Sequence, residues 1–174
     1  MNEIEKRKKR CCFTGHRPEK LTVDEAELRK GLESAIDDAI AAGFRTFISG
    51  MSRGTDLWAA AIVLSRKKVH PDVHLICAVP HPGFEERWNS DWQRLYHDVL
   101  AEADLVRTIS PSYTRGCYQI RNCWMVDHSA LVIAAYNGSN GGTQNTIFYA
   151  EKQGCVVQSV ELSSSGSTIN LSYT

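Results

Sequence analysis

The segment GMSRG, residues 50–54, matches the G-x-S-x-G pattern in which serine hydrolases place their nucleophile. In that chemistry, Ser52 would attack a carbonyl carbon after a histidine had taken its proton. The same letters also fit a tight turn whose backbone amides approach a phosphate, because glycine lacks the Cβ that would hold an anion away. The sequence therefore allows two interpretations of Ser52, as a nucleophile or as a residue that contacts a ligand.

A serine nucleophile needs a base and a group that orients the base, and the chain offers poor candidates for both. Enzymes that use this turn place an acid and then a late histidine after the serine. The last histidine of the chain is His128, which directly follows Asp127. Adjacent residues of a helix do not face each other, so this pair makes a poor relay. We therefore favour a turn or ligand-contacting role for Ser52.

Three turns rich in glycine follow predicted strands, and each leads toward a helix. They are TGHRP (14–18), SGMSRGTD (49–56) and NGSNGGT (137–143). Parallel strands end at one edge of a sheet, and ligands bind there, where the strand order reverses. The helix N-termini at that edge leave amide N–H groups unpaired and carry partial positive charge. We predict that the three turns converge on one site for a phosphate group.

Individual residues in these turns could also contact the ligand. Arg17 would supply a fixed positive charge with bidentate geometry. His16 is a ligand-facing donor, a catalytic acid-base group or a structural residue. Asp56 either complements a helix dipole or accepts a hydrogen bond from a ligand hydroxyl. Gly54 and Gly142 each place glycine beside a predicted helix start, where an anion could dock.

The elements that would position these turns alternate between strand and helix. The predicted strands cover residues 10–14, 44–49, 73–79, 104–108, 130–136 and 155–160, and the predicted helices cover 28–40, 56–67, 88–99, 117–128 and 143–153. A capping box at Thr22-x-x-Glu25 predicts the start of the first of these helices, and Gly43 predicts its end. We interpret Trp88 and Trp92, at helical spacing, as core residues rather than as a platform for a base.

This alternation predicts one α/β domain over residues 1–174, with a parallel sheet covered by helices on both faces. A chain of 174 residues suits a single core of this kind. The basic lead-in at 1–9 and the Ser-rich tail at 163–174 are expected to be flexible, although INLSY (169–173) could add an edge strand.

Composition narrows the function classes. The 20 Lys+Arg balance the 20 Asp+Glu, so the global charge favours neither nucleic acid nor an anionic membrane. No stretch approaches the ~20 apolar residues of a membrane span, and the basic start is not followed by the apolar core of a signal peptide.

The six cysteines contain no C-x-x-C, and no H-E-x-x-H occurs. We predict a cytoplasmic protein with reduced thiols and no metal site, in which Cys11 and Cys12 point to opposite faces of a strand.

Several of these motifs together resemble the YpsA family, which belongs to the SLOG group of Rossmann-like proteins. The resemblance extends from Cys12 to Val160 and includes TGHRP, SGxxxGxD, and RNxWMVDxS running into LVIAxYNGxxGGTxNTxxYAxKxG. It implies a Rossmann-like fold, a three-layer α/β/α arrangement with a mostly parallel central sheet. It also implies a ligand sensor or binding module that takes a phosphate-containing nucleotide, or a derivative such as ADP-ribose or NAD, and that requires no cofactor.

The resemblance carries binding roles over to particular positions. Together with Ser52, the candidate ligand-binding residues are Gly15, His16, Arg17, Gly50, Gly54, Asp56, Arg121, Asn122, Gly138, Gly141, Gly142 and Thr143. A nucleotide-type small molecule is the expected partner, a homo-oligomer is left open, nucleic acid is disfavoured and a membrane is excluded.

Two relatives in the SLOG group define the alternatives. LOG-type enzymes remove ribose phosphate from nucleotides and carry the pattern G-G-x-G-T-x-x-E, whereas Thr146 stands three residues past Thr143 here. A threonine cannot supply the charge of that glutamate, which puts N-glycosidic cleavage in doubt. DNA-processing protein A binds single-stranded DNA, which requires a positive groove and stacking aromatic side chains. Local clustering of arginines would be needed for this second alternative, and the candidates are Arg17, Arg53, Arg115 and Arg121.

Overall fold

The computed structural model describes residues 1–160 of the chain. Its strands are β1 (Arg10–Gly15), β2 (Thr46–Ser49), β3 (His74–Val79), β4 (Leu105–Thr108), β5 (Leu131–Ala135) and β6 (Val156–Ser159). Its helices are α1 (Glu3–Arg7), α2 (Glu25–Ala41), α3 (Thr55–Lys67), α4 (Ser90–Glu102), α5 (Cys117–Asp127) and α6 (Gly142–Lys152), with a 3₁₀ turn at Pro18–Lys20. The Ser-rich tail and the predicted strand INLSY lie outside the described residues.

The strands form one parallel sheet in the order β4-β3-β2-β1-β5-β6. The chain runs outward from β1 through β2 and β3 to β4, then returns to place β5 on the other side of β1. In that pairing Gly15 lies opposite Ala135. The strand order therefore reverses between β1 and β5, and the predicted Rossmann-like α/β/α fold is confirmed.

Helices pack on both faces of the sheet and give two apolar cores. Phe13 and Phe47 face α2 and α3 in the larger core, where their rings stack with centroids 6.0 Å apart. Cys12 and Ile48 face α5 and α6 in the smaller core. Cys11 belongs to the larger core, so the prediction that Cys11 and Cys12 point to opposite faces is confirmed.

The start of α2 differs from the prediction because a stronger capping residue stands nearby. The side chain of Asp24 accepts the backbone N–H of Glu27 at 2.8 Å, and the helix begins at Glu25. The predicted capping box from Thr22 is wrong, since aspartate is preferred over threonine at the N-cap position. The predicted end at Gly43 is confirmed, with a φ of +97° there.

The start of α4 is shifted for the same reason. The side chain of Asn89 accepts the N–H of Trp92 at 3.1 Å, and the helix begins at Ser90. Trp92 packs in the core against Trp58, with ring centroids 5.5 Å apart. Trp88 instead lies in the turn before the helix and packs against the larger core, so its predicted core position is confirmed and its predicted place on the helix face is wrong.

The helices do not cover the whole sheet. On the edge strand β4, Leu105 is 50% exposed and Val106 is 44% exposed, and Val156 on the other edge strand β6 is 66% exposed. The prediction of a sheet covered on both faces therefore applies to the inner strands and is wrong at the edges. None of the helices among residues 1–160 is long and apolar enough to cross a membrane.

The basic lead-in includes a short helix, α1, that the sequence analysis did not predict. Asn2 caps it and exchanges hydrogen bonds with Glu5 in a capping box. Arg7 then donates from Nε to the carbonyl oxygen of Ser129 at 2.9 Å. This contact attaches the lead-in to the segment that enters β5.

Glycine is required where the turn after β1 lies against the start of α3. Gly54 has a φ of +88°, and a Cβ there would stand 2.9 Å from Pro18 Cδ and 3.1 Å from the carbonyl oxygen of His16. Gly43 also has a positive φ, but a Cβ there would have no atom within 4 Å. The two glycines share a positive φ, but only Gly54 is closely packed against a neighbouring turn.

We expect Gly54→Ala to lower the free energy of unfolding more than Gly43→Ala does. Each substitution places a Cβ on a positive-φ residue, which costs roughly 1–2 kcal/mol. Only Gly54→Ala also forces atoms apart, which adds about 1–3 kcal/mol. Urea denaturation of the two variants measures the difference, and equal losses would contradict the close packing of the two turns.

Candidate functional site

A cavity of about 340 Å³ opens at the carboxyl edge of the sheet, beside the point where β1 and β5 diverge. The turns after β1, β2 and β5 and one face of α5 line it. The lining residues are Phe13, Thr14, Gly15, His16, Arg17, Lys20, Ser52, Asp56, Tyr118, Arg121, Asn122, Met125, Gly141, Gly142 and Thr143. Three turns that are far apart in the sequence therefore meet at one place, as the sequence analysis predicts.

The predicted binding residues all line this cavity except Gly50, Gly54 and Gly138. Gly50 lies behind the wall, because a Cβ there would stand 2.9 Å from Arg121 Cζ and from Asp56 Oδ2. Gly54 packs against the turn after β1, as described above. Gly138 is exposed, has a φ of +89° and serves the turn itself.

The N-terminus of α6 is open toward the cavity. Gly141 is its N-cap, with a φ of +144°, and neither a capping side chain nor an acidic residue in the first turn satisfies its amides. Within residues 1–160, the N–H groups of Gly142, Thr143 and Gln144 make no hydrogen bond. Free amides at the positive end of an eleven-residue helix favour a negatively charged ligand.

The N-terminus of α3 is closed by the protein itself. Pro18 and the carbonyl of His16 lie over its N-cap, Gly54, and Thr55 donates from Oγ1 to that carbonyl at 3.3 Å. Thr55 is only 1% exposed. The sequence predicts an anion at the starts of both helices, but only the start of α6 is accessible.

Two basic side chains line the cavity that the open helix end faces. Arg17 and Lys20 are exposed, and their side chains have no hydrogen bond or ion pair within the described part of the chain. Lys20 Nζ is 3.8 Å from the position that a Cβ on Gly141 would take. The sequence analysis identified Arg17 but missed Lys20, although a second cation three residues along the same turn was a signal for it.

A buried carboxylate and a buried guanidinium form the floor of the cavity. Asp56 is 6% exposed, and its Oδ2 accepts the N–H of Ser52 at 3.3 Å, while its Oδ1 has no partner among residues 1–160. Arg121 is 5% exposed and donates to the carbonyl oxygen of Gly50 and, at 2.8 Å, to Asn122 Oδ1. The floor therefore contains one buried acceptor without a donor among residues 1–160 and a fixed positive charge.

Burial shifts the pKa values of Asp56 and Arg121 on the cavity floor. Desolvation raises the pKa of Asp56 to about 6, although the charge of Arg121 opposes the shift. Desolvation also lowers the pKa of the Arg121 guanidinium, and the charge of Asp56 opposes that shift in turn. The carboxylate is ionised at neutral pH, but its ionisation costs free energy that a ligand donor could recover.

His16 lines the cavity without offering a charge. Its ring packs 5.6 Å from the ring of Tyr136, and its Nε2 is 3.5 Å from Ser139 Oγ. Burial lowers the pKa of His16, so the imidazole is neutral near pH 7. His16 combines a packing role with a neutral polar group at the cavity wall.

The turn around Ser52 is fixed by Ser49 and has no histidine beside the serine within residues 1–160. Met51, not Ser52, is the strained residue, with a φ of +65°. The hydroxyl of Ser49 accepts the Met51 N–H at 3.2 Å and donates to the carbonyl oxygen of Asp56 at 2.9 Å. The ionisable side chain beside Ser52 is Asp56, so the histidine base of the serine hydrolases is missing from the described residues.

The remaining candidates for a reactive role are Thr146, the six cysteines and possible metal ligands. Thr146 donates from Oγ1 to the carbonyl oxygen of Gly142 at 2.8 Å, so no carboxylate stands where the LOG-type pattern has glutamate. The six cysteines are free thiols, and burial raises the pKa of Cys12 to about 12. Among the described residues, no group of three His, Cys, Asp or Glu side chains could hold a metal ion.

Tyr118 is a second lining residue that the sequence analysis missed. It stands three residues before Arg121 on α5, so both side chains lie on one face of the helix. Because Arg121 was predicted to lie at the site, Tyr118 could have been predicted from its position three residues earlier on the same helix.

Comparison with known proteins gives one family match and several relatives. The model of a family described as the YspA SLOG family matches residues 11–159. The SPbeta prophage-derived protein YoqJ of Bacillus subtilis is 32% identical over 61% of this chain and 69% of its own. The UPF0398 protein BH1768 of Halalkalibacterium halodurans is 29% identical over 71% of this chain and 66% of its own. For the UPF0398 protein SERP1017 of Staphylococcus epidermidis, the identity is 33%, over 48% of this chain and 46% of that protein.

A solved structure shares the fold. DNA processing protein A from Helicobacter pylori, described for its single-stranded DNA binding mode, superposes with a TM-score of 0.60 at 14% identity. The superposition covers 90% of this chain and 66% of that one. At this identity the likeness concerns the fold alone.

The buried carboxylate predicts a pH dependence of stability that Asp56→Asn removes. Below about pH 4 the carboxyl is protonated in both states, and between pH 4 and pH 6 only the unfolded chain ionises. The wild-type free energy of unfolding, relative to Asp56→Asn, therefore falls as pH rises through this window and is constant above it. The fall amounts to at most about 3 kcal/mol.

Urea denaturation of both proteins from pH 4 to pH 7 measures this effect. Asp91→Asn provides the control, because it removes a negative charge from a side chain that is 87% exposed. A wild-type and Asp56→Asn difference that does not change over this range would show that Asp56 is not desolvated as described.

Proposed function

This chain belongs to the YspA SLOG family, and we propose that it binds a phosphate-containing nucleotide or nucleotide-derived ligand, such as ADP-ribose or NAD, in the cavity between β1 and β5. One observation carries the proposal: the uncapped N-terminus of α6 opens on the same cavity as Arg17 and Lys20. No further cofactor is part of the proposal.

The geometry supports a phosphate at the end of α6. The amides of Gly142 and Thr143 would donate to phosphate oxygens, and the absence of a Cβ at Gly141 and Gly142 keeps side-chain atoms away from the anion. Arg17 would add paired donors and Lys20 a mobile point charge. Each charge-assisted hydrogen bond of this kind is worth about 1.5–3 kcal/mol.

The floor of the cavity supports a sugar beside the phosphate. Asp56 Oδ1 lacks a donor within residues 1–160, and a ribose hydroxyl would supply one. Arg121 holds a positive charge behind the carboxylate and keeps it ionised at neutral pH. A ligand with both phosphate and ribose would therefore use groups that inorganic phosphate leaves unpaired.

The side chains near the proposed ligand favour binding or sensing over catalysis. Ser52 has no histidine beside it, and Thr146 occupies the place of the glutamate in the LOG-type pattern. The alternative reaction, N-glycosidic cleavage, would have to use Asp56, the carboxylate that lines the cavity. Chromatography of nucleoside monophosphates incubated with the protein tests this alternative: release of free base would establish it.

Single-stranded DNA binding is the other alternative, because the structural neighbour is described as binding single-stranded DNA. The balanced charge of this chain does not favour a long polyanion. Oligothymidylate retained by the protein, with an affinity that falls steeply as salt rises, would favour DNA over a small nucleotide.

The proposal predicts that Gly142→Ala weakens binding without weakening the fold. A Cβ at Gly142 would meet no protein atom within 4 Å, so it intrudes only on the space assigned to the ligand. We expect the variant to be as stable as the wild type or more stable, since alanine favours a helix over glycine. We expect its affinity for ADP-ribose to fall about tenfold or more, equivalent to one lost charge-assisted contact.

Gly116→Ala is the matched control. Gly116 is the N-cap of α5, and a Cβ there would also meet nothing within 4 Å, but it does not line the cavity. Isothermal titration of ADP-ribose into the three proteins gives the affinities, and adenosine tests the need for phosphate. Wild-type affinity in Gly142→Ala, or binding of adenosine as tight as that of ADP-ribose, would contradict the proposal.

A further inference from the structure

An aromatic cleft lies beside the proposed phosphate site, at the carboxyl ends of β3 and β4. It has a volume of about 580 Å³ and is lined by the rings of His81, Phe84, Trp88, Tyr113 and Tyr118. His81 stands edge-on to Phe84 at 5.8 Å and to Tyr113 at 5.4 Å between ring centroids. The function proposed above uses none of these rings, although Tyr118 also lines the cavity between β1 and β5.

The aromatic cleft adjoins the cavity between β1 and β5. Tyr118 lines both spaces. A smaller cavity of about 70 Å³ lies between them, where Phe84 and Trp88 from the cleft meet Arg17 and Ser52 from the phosphate site. A ligand could therefore extend along the sheet edge from one space to the other.

His81 gives the cleft a polar group with a defined role. Its Nδ1 is 2.7 Å from the carbonyl oxygen of Pro82, which can only accept, so Nδ1 carries the hydrogen. In the neutral ring Nε2 is then an acceptor, and it has no hydrogen bond within residues 1–160. The side chain is 8% exposed, so this acceptor is available only to a group that enters the cleft.

The distance between the aromatic cleft and the open end of α6 sets the length of a ligand that can occupy both places. The open helix end follows β5, whereas the aromatic cleft follows β3, and β1 and β2 lie between them. Three strand spacings separate the two places, or about 14 Å. This is longer than the span from phosphate to base in a nucleoside monophosphate, but a pyrophosphate-linked nucleotide can bridge it.

We propose that the aromatic cleft is a base-stacking subsite, so that the ligand is a pyrophosphate-linked nucleotide with its base among these rings and a phosphate on the α6 amides. This inference rests on the function proposed above and narrows it to one ligand class. Every base presents a flat face to an aromatic ring, and an exocyclic amine would donate to His81 Nε2.

Tyr113→Ala tests the subsite. Tyr113 is 62% exposed, so its removal leaves the core intact. Phe148→Ala is the matched control, because Phe148 is 59% exposed and does not line the cleft. Isothermal titration compares ADP-ribose, which reaches both spaces, with ribose 5-phosphate, which reaches only the phosphate site.

We expect Tyr113→Ala to weaken ADP-ribose binding about tenfold or more and to leave ribose 5-phosphate binding unchanged. Phe148→Ala should bind both ligands like the wild type. If the wild type binds both ligands and Tyr113→Ala binds ADP-ribose equally well, the subsite is overturned while the proposed function stands. If the wild type binds neither ligand, both proposals fail. Oligothymidylate binding that depends on Tyr113 would assign the rings to DNA bases instead.

Discussion

Two neighbouring parallel strands, β1 and β5, send the chain to opposite faces of the sheet, and the site depends on this divergence. From β1 the chain turns toward α2, and from β5 toward α6, so no backbone segment fills the space between them. The register that sets Gly15 opposite Ala135 brings both turns to the same height. The turn after β2 closes the third side, because Gly54 allows it to pack against Pro18. The cavity is thus a consequence of strand order.

The N-termini of α3 and α6 both lie near the point where β1 and β5 diverge, but only the N-terminus of α3 is covered by the protein. The start of α3 is covered by the protein's own chain and carries the buried Asp56 in its first turn. The start of α6 has neither a capping side chain nor an acidic residue, and two exposed cations line the cavity on which it opens. Desolvation of Asp56 disfavours the folded state at neutral pH. A carboxylate whose burial costs stability and whose Oδ1 has no donor among residues 1–160 is the group that the hydroxyl of the proposed ligand would satisfy.

Much of this arrangement could be predicted from the sequence, because glycine and alternating apolar runs report backbone geometry directly. The strands, their parallel direction and the convergence of three turns follow from local patterns and from the rule for strand ends. Cover at the sheet edges could not be predicted, since apolar residues in β4 look the same whether or not a helix crosses them. The start of α2 could be predicted, because aspartate is preferred over threonine at an N-cap. Closure of the α3 start by Pro18 depends on tertiary packing. The aromatic cleft could not be predicted either, because its members come from three separate segments.

If the free amides at the start of α6 receive a phosphate group, backbone amide NMR of the labelled protein during titration with ADP-ribose will report it. We expect the largest shifts at Gly142 and Thr143, and we expect them to saturate with the ligand. Shifts confined to other parts of the chain, with these amides unchanged at saturating ligand, would contradict this placement of the phosphate.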